Sequence, residues 1–272
     1  MTIEFTKVSL TYHGSKTPIL EDFSLKIEKG LSYGLIGATG SGKTTFCHLI
    51  TGIIPKFISG KITGVITINN VEVSLLRVGD LSTKIGHLFQ EPNNQISSFS
   101  VEAELAFGME NLNIERDVMI NKITYVCQLL QIDHLLGREM NTLSEGEKTL
   151  VILGSLLVME PEILIIDELS NLDPFSRKRI KNILLTLKQK GITLIITEHD
   201  IEFLIGLVDN ILVLHEHKLV WKDSLQALLE KSEIFTKTNL QKPQYFIFKE
   251  NLHHLNISES NLEDSINDWV KS

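Results

Sequence analysis

Hydrophobic and polar positions alternate in the first third of the chain, which predicts strands that are buried on one face. The opening residues, MTIEFTKVSL, follow this pattern without a basic start or a long apolar run. We therefore expect a strand here and not a signal peptide. The stretches LSYGLIGA and GVITINN predict further strands, and KTTFCHLITG between them predicts a helix that ends at Gly52.

Between about residue 92 and residue 160 the apolar residues recur at intervals of three and four, which predicts a helical subdomain. After it, EILIIDE and ITLIITEHD are continuous apolar runs, typical of parallel strands that are buried on both faces. Asp173 and Pro174 predict the N-cap and first residue of a helix that ends at Gly191. IEFLIGLVD predicts another helix and NILVLHEHKLVW a hairpin. This order predicts an α/β fold with a parallel sheet.

The character of the sequence changes near residue 236, so we expect a main domain over 1–235 and a C-terminal appendage over 236–272. In the appendage, Leu262, Ile266, Trp269 and Val270 fall on one helical face. No internal repeat marks the chain.

Composition narrows the class of protein. The chain has 272 residues, of which 43% are hydrophobic and 22% charged, as in an ordinary globular protein. Its net charge of −8, without a basic block, disfavours nucleic acid as the main partner. The longest apolar run, LVILGSLLVM, is too short to cross a bilayer. Cys47 and Cys127 have no metal or disulfide spacing, which favours buried thiols in a reducing cytosol.

The segment from Gly37 to Thr44 matches the pattern G-x-x-x-x-G-K-[ST] between a predicted strand and a predicted helix. Glycines let such a loop turn its backbone N–H groups toward phosphate, and the helix adds its positive dipole end. Lys43 can then reach the β- and γ-phosphates of ATP, and the Thr44 hydroxyl can bind Mg²⁺. The nucleotide-binding residues predicted in this cradle are Gly37, Ala38, Thr39, Gly40, Ser41, Gly42, Lys43, Thr44 and Thr45.

Two acidic residues follow the apolar run ILII, at the edge of the sheet where ligands of open α/β sheets bind. Asp167 is predicted to hold Mg²⁺ through water. Glu168 is predicted to be the base for a water that attacks the γ-phosphate. Beside a complete cradle, this pair indicates a site for ATP and Mg²⁺.

The order of LFQEP, LSEGE, LIIDE, NLD and TEHD after the cradle resembles the ATP-binding subunits of ABC transporters, over residues 1 to about 230. The resemblance implies a P-loop NTPase of ABC type: a mixed sheet core with an antiparallel β subdomain and a helical subdomain. It also implies a head-to-tail dimer, in which each ATP lies between the cradle of one chain and the signature segment of the other.

The same resemblance implies roles for further residues. Tyr12 would stack on adenine, and Gln90 would contact Mg²⁺ and sense a membrane partner. Ser144 and Gly146, in the signature segment, would face the partner's γ-phosphate. His199 would position the γ-phosphate, which completes a predicted catalytic set with Lys43 and Glu168. Asp173 would cross the dimer interface.

Two longer stretches, KFISGKITGVITINN and LFQEPNNQISSFSVEAELAFGMENL, are similar to the ATPases of energy-coupling factor transporters. This narrower resemblance implies import of a vitamin or of a trace metal such as cobalt or nickel. It implies a second related ATPase, a transmembrane coupling subunit and a substrate-binding membrane subunit, with this chain at the cytoplasmic face of the membrane. The appendage would help to hold the ATPase pair together.

The signature departs from the usual Leu-Ser-Gly-Gly-Gln of the family because Glu145 and Glu147 replace Gly and Gln. Within the chain, Ser144 and Glu147 spell a capping box, and acids near a helix start stabilise it by roughly 0.3–1 kcal/mol each. A carboxylate about 7 Å from the partner's phosphate would instead feel roughly 2 kcal/mol of repulsion. We therefore expect a weakened signature, and a heterodimer with one slow and one fast site. Leu169 is a further departure, since the family usually has Pro there.

Two alternatives stay open. One is an ABC-type ATPase of DNA or ribosome metabolism, which the absence of a long coiled-coil insertion, the single cassette and the acidic balance disfavour. The other is a regulatory module that binds ATP without hydrolysing it, which the presence of Glu168 disfavours.

Overall fold

The computed structural model describes residues 1–238, 240–244 and 247. The predicted helical face at 262–270, and with it most of the predicted appendage, lies outside the described residues. The strands are β1 (Ile3–Tyr12), β2 (Leu20–Ile27), β3 (Ser32–Gly37), β4 (Gly60–Ile68), β5 (Val71–Glu72), β6 (Ile85–Leu88), β7 (Ile163–Asp167), β8 (Thr193–Thr197), β9 (Asn210–His215) and β10 (Lys218–Asp223). The helices are α1 (Lys43–Ile50), α2 (Ile53–Lys56), α3 (Val78–Ser82), α4 (Val101–Asn111), α5 (Arg116–Leu130), α6 (Glu145–Leu157), α7 (Pro174–Gln189), α8 (Ile201–Leu204), α9 (Leu225–Leu229) and α10 (Ser232–Thr238).

The strands form two sheets. One is a four-stranded antiparallel sheet in the order β2-β1-β4-β5. The other has the order β10-β9-β3-β8-β7-β6 and is parallel except for the β9–β10 hairpin, so it is mixed. Strands β3, β7 and β8 are buried along their whole length, as their apolar runs predict. The predicted mixed core and antiparallel sheet are therefore both present.

The strand order places the predicted chemistry at one edge of the mixed sheet. β3, β8 and β7 are neighbours and run in the same direction. The cradle follows β3, Glu168 follows β7, and His199 lies two residues after β8. Because the carboxyl ends of parallel strands meet at the same edge, segments that are more than 100 residues apart in sequence converge there.

The part of the chain between the cradle and the signature folds mainly as helices. Helices α4, α5 and α6 pack together, and α6 also packs against β6. Leu105 and Met109 of α4, Val126 and Leu130 of α5, and Leu153 of α6 belong to one buried cluster. The three-and-four spacing of the apolar residues places these side chains on the inner faces of the helices.

Two short helices differ from the expectations, whereas the cysteines agree with them. The predicted helix over IEFLIGLVD is only the single turn α8, because Ile205 has extended backbone angles and Gly206 has a φ of +75°. The short helix α3 was not expected, since five residues give little periodic signal. Cys47 and Cys127 are free and buried, as predicted. Among the described residues, no helix is long and apolar enough to cross a membrane.

Candidate functional site

The cradle loop joins β3 to α1 with a backbone that requires glycine at two positions. Gly42 is the N-cap of α1 and has a φ of +107°, a conformation that a side chain would strain. A Cβ at Gly37 would lie 2.5 Å from the Leu214 carbonyl oxygen and 2.6 Å from Ser41 Oγ. No side chain caps α1, so the N–H groups of its first turn are available to an anionic ligand.

A cavity of about 220 Å³ opens beside this loop. Its walls combine the cradle with side chains from the ends of the neighbouring strands. The lining residues are Ile19, Thr39, Gly40, Gly42, Lys43, Thr44, Thr45, Gln90, Glu168 and His199. The cavity therefore joins most of the residues that the sequence predicts for phosphate binding and for catalysis.

Lys43 places a cation at the inner end of the cavity. Its Nζ donates a hydrogen bond to the Gly37 carbonyl oxygen at 2.9 Å and lies 3.3 Å from Nε2 of His199. Burial lowers the pKa of the Lys43 ammonium, and the nearby Glu168 and Asp167 carboxylates oppose that shift. The hydrogen bond to Gly37 thus holds the Lys43 ammonium at the wall of the cavity.

Glu168 lies opposite the cradle and is held by two neighbours. Its Oε2 accepts a hydrogen bond from the Gln90 side-chain amide at 3.1 Å, and its Oε1 accepts one from Ser170 Oγ at 2.9 Å. Oε2 is also 3.6 Å from Nε2 of His199. The backbone of Glu168 has a φ of +57°, unusual for a residue with a side chain. A carboxylate, an amide and an imidazole thus face one point beside the cradle.

Asp167 ends β7 and is buried, and its Oδ1 accepts a hydrogen bond from Thr197 Oγ1 at 2.6 Å. No group of three or more His, Cys, Asp or Glu side chains among the described residues forms a metal-binding cluster. The oxygens of Thr44, Gln90 and Asp167 are hard donors of the kind that Mg²⁺ prefers. This donor set fits an ion that takes its other ligands from a nucleotide and water, as Mg²⁺ usually does.

The signature segment begins α6 with the predicted capping box. Ser144 Oγ accepts from the Glu147 N–H at 3.3 Å, and a Glu147 side-chain oxygen accepts from the Ser144 N–H at 2.8 Å. That second hydrogen bond lowers the pKa of the Glu147 carboxyl. Arg138 Nη1 lies 3.6 Å from the same carboxylate. The Glu147 carboxylate therefore contacts donors of its own chain, at the start of α6 and on Arg138.

Glu145 also has partners within the chain. Its Oε1 accepts from Lys148 Nζ at 2.9 Å, and its Oε2 accepts from Asn93 Nδ2 at 2.7 Å. These hydrogen bonds, that from Lys148 first, lower the pKa of the Glu145 carboxyl. The Asn93 contact ties the signature helix to the segment that follows Gln90. Both signature glutamates are thus matched by a cation or by a backbone donor.

Gly146 packs against the start of α7. A Cβ at Gly146 would lie 3.0 Å from Ser176 Cβ and closer still to Ser176 Oγ. Asp173 caps α7 through the N–H groups of Phe175 and Ser176, as its position before Pro174 predicts. The predicted signature and the predicted interface aspartate are therefore neighbours in one chain.

The structure places the predicted catalytic residues and the predicted signature residues apart. Lys43, Glu168 and His199 line the cavity beside the cradle, whereas Ser144 and Gly146 do not. The Tyr12 hydroxyl shares a hydrogen bond of 2.7 Å with Thr45 Oγ1, so the tyrosine lies beside the first turn of α1. Ile19 lines the cavity, and the sequence reasoning missed it because one apolar residue before a strand carries no specific signal.

Comparison with known proteins identifies several relatives. A family model described as ABC transporter matches residues 20–171. A protein of Saccharolobus solfataricus named as an ABC transporter ATP-binding protein is 35% identical over 90% of this chain and 47% of its own length. One from Pyrococcus abyssi with the same kind of name is 34% identical over 89% of this chain and 87% of its own length. The chain thus spans about half the length of the first of these relatives and most of the second.

Among solved structures, cbiO1 from Clostridium perfringens has a TM-score of 0.77 and 28% sequence identity. The match covers 91% of this chain and 98% of that one. That protein is described as part of the ABC transporter complex cbiONQ. The chain thus shares its fold with a solved component of an ABC transporter complex.

Proposed function

Because the chain belongs to the ABC transporter family, we propose that it binds and hydrolyses ATP to power the transport of a solute across a membrane. The observation that carries the proposal is the convergence of Lys43, Glu168 and His199 on one cavity beside the cradle. Each of these side chains lies in a segment that follows a different strand, namely β3, β7 or β8, so their convergence is a property of the fold.

The cradle binds the triphosphate through its backbone N–H groups and Lys43. The Thr44 hydroxyl, the Gln90 side-chain oxygen and the Asp167 carboxylate would hold Mg²⁺ beside the bound nucleotide. When bound, the ion neutralises charge on the β- and γ-phosphates. Tyr12, beside the first turn of α1, stacks on the adenine.

Hydrolysis depends on side chains opposite the cradle. Glu168 takes a proton from the attacking water, and the Gln90 amide at 3.1 Å orients the carboxylate that does so. His199 contacts the γ-phosphate, and Lys43 compensates the charge that develops there. Because Gln90 contacts Glu168 directly, movement of the segment around Gln90 alters the geometry of the base.

The signature segment serves a second ATPase subunit. Ser144 and Gly146 lie outside the cavity of their own chain, in keeping with a role in closing the partner's site. We assign residues 1–235 to the ATP-binding domain, with its helical subdomain at about 92–160. Residues 236–272 form an appendage that stabilises the pair.

A groove of about 400 Å³ between α3, α4 and α6 is the surface we assign to a transmembrane coupling subunit. Phe107 of α4 and Leu112, the C-cap of that helix, line the groove and are 44% and 48% exposed, so a partner that packs there would bury apolar surface. Gln95 and Ser97 extend the lining toward Gln90, which would link a docked helix to the catalytic base.

The likeness to cbiO1 of the cbiONQ complex supports the narrower proposal of an energy-coupling factor importer. Such an importer would carry a vitamin or a trace metal, with this chain at the cytoplasmic face of the membrane. A substrate-binding membrane subunit would select the solute.

The test compares two variants of the full chain in complex with its partner subunits. Glu168→Gln should keep ATP affinity and lower turnover at this chain's site by about 10²–10⁴-fold, the range for loss of a general base. Lys43→Ala should lose ATP affinity itself. Wild-type binding without turnover would instead identify a regulatory ATP-binding module. Binding to nucleic acid that weakens steeply with salt would favour the DNA or ribosome alternative.

A further inference from the structure

The ion pair between Glu198 and Arg177 lies next to His199 and has no role in the mechanism described above. Glu198, which directly follows β8, has a side chain that is 1% exposed, and its Oε1 lies 3.1 Å from Nη2 of Arg177. Arg177 also lies 3.3 Å from Asp200 and places its guanidinium 4.8 Å from the centroid of the Phe203 ring. A carboxylate buried this deeply would be strongly destabilising without a cationic partner.

The same carboxylate holds the peptide that follows the catalytic base. Glu198 Oε1 accepts a hydrogen bond of 3.3 Å from the backbone N–H of Leu169. Glu168 has a positive φ, and its own N–H donates to the Thr197 carbonyl oxygen at 3.2 Å. Because a left-handed backbone is unfavourable for a residue with a side chain, its neighbours must hold it in place. Leu169 replaces the family's usual proline, which has no N–H, so this contact depends on that departure.

Glu198 also connects the other parts of the site. Its N–H donates to the Leu35 carbonyl oxygen of β3 at 3.1 Å, and β3 leads into the cradle. It directly precedes His199 in the sequence. Arg177 lies in the first turn of α7, where its N–H donates to the carbonyl oxygen of Asp173 at 3.0 Å. One carboxylate therefore contacts or adjoins the segments of the base, the histidine and the interface aspartate.

We propose that Glu198, paired with Arg177, is a positioning residue for ATP hydrolysis that holds Glu168 and His199 at their mutual distance. This inference rests on the proposed ATPase function. Burial raises the pKa of the Glu198 carboxyl, and the charge of Arg177 opposes that rise. The pair therefore acts as a unit, since the charge of Arg177 favours the ionised carboxylate and its hydrogen bond fixes the direction of that group.

The experiment uses Glu198→Gln in the full chain, assembled with its partner subunits. Glutamine keeps the shape and one acceptor oxygen but removes the charge that orients Arg177. We expect kcat to fall about 10-fold, while KM and the Kd for ATP change less than 2-fold. Hydrogen exchange at the Leu169 amide should become about 10-fold faster, while exchange in β7 and β8 stays unchanged. A general loss of stability would instead speed up exchange throughout both strands.

Arg177→Met should give the same loss of kcat, and the double variant should be no worse than either single variant, because both changes break one contact. Arg177→Lys keeps the charge and should recover part of kcat. The matched control is Lys188→Met, which breaks a pair with Asp209 at 2.7 Å on the far end of α7. It should leave kcat unchanged.

Wild-type kcat in Glu198→Gln would overturn the inference. So would a fall in kcat without faster exchange at Leu169, or a Lys188→Met variant that loses as much kcat. If Glu198→Gln does not fold, Arg177→Lys carries the same test. A wild-type complex that hydrolyses no ATP would overturn the proposed function instead, and the exchange measurement would still decide whether Glu198 holds the Leu169 peptide.

Discussion

We predict that the charge of Lys148 offsets most of the repulsion between Glu145, in the signature segment, and the phosphates of the partner's ATP. An isolated Glu145 carboxylate at about 7 Å from a phosphate charge of the partner's ATP would feel about 2.4 kcal/mol of repulsion at an effective dielectric of 20. The Lys148 ammonium lies 2.9 Å from that carboxylate. At about 10 Å from the phosphate, it returns about 1.7 kcal/mol of attraction. The net penalty is then about 0.7 kcal/mol, or roughly 3-fold in affinity, instead of roughly 50-fold.

Lys148→Met removes the charge and keeps the packing of a side chain that is only 18% exposed. Since Glu145 is 61% exposed, solvent screening lowers these figures, and we expect about 10-fold weaker ATP binding at the partner's site. Glu145→Gly in the same background should restore the affinity. Glu145→Gly with Glu147→Gln, made with Lys148 in place, removes the repulsion but keeps the attraction, so ATP should bind the partner's site more tightly than in the wild type, by at most about 50-fold before screening.

The assay is a titration of the intact ATPase pair with a fluorescent, non-hydrolysable ATP analogue, at low salt and at about 0.5 M salt, where screening should remove most of the effect. Lys122→Met is the matched control, because it breaks a Lys–Glu pair of 2.8 Å with Glu160, away from the signature. Unchanged affinity in Lys148→Met would refute the electrostatic reasoning. So would a double variant with Glu145→Gly that binds as weakly as Lys148→Met alone.

Two further predictions concern packing and docking. Gly146→Ala should lower the free energy of unfolding by about 1–3 kcal/mol and reduce ATP turnover, because its Cβ would collide with Ser176, whereas Gly79→Ala meets open space and should be neutral or stabilising. Thermal unfolding and turnover check both, and equal behaviour of the two variants would contradict the close packing. Phe107→Asp should abolish co-purification with the membrane subunits, measured by affinity capture, while Val118→Asp on α5, 43% exposed, should not. Retained capture of Phe107→Asp would remove the groove as the docking surface.

The helix caps, the buried strands and the phosphate-binding loop could be predicted from the sequence, because each depends on residues that are close together in the chain. The capping box of Ser144 and Glu147 and the Asp173 cap involve residues within three positions of each other, so local spacing predicts them. The buried strands β3, β7 and β8 follow from uninterrupted apolar runs. The cradle also lies within one short segment, because its glycines and Lys43 act on one ligand through neighbouring backbone groups.

Longer-range features were decided only in three dimensions. The position of the Glu145 carboxylate depends not only on nearby Lys148 but also on Asn93, which is 52 residues away and reaches it because α6 packs beside the segment after Gln90. The role of Leu169 likewise depends on Glu198, 29 residues later, on a neighbouring strand. The sequence by itself determined which groups could bind phosphate, cap a helix or act as a base, since these abilities belong to residue types at fixed spacing. Only the tertiary structure decided which charge meets which partner, because that depends on packing between segments whose separation in sequence carries no local signal.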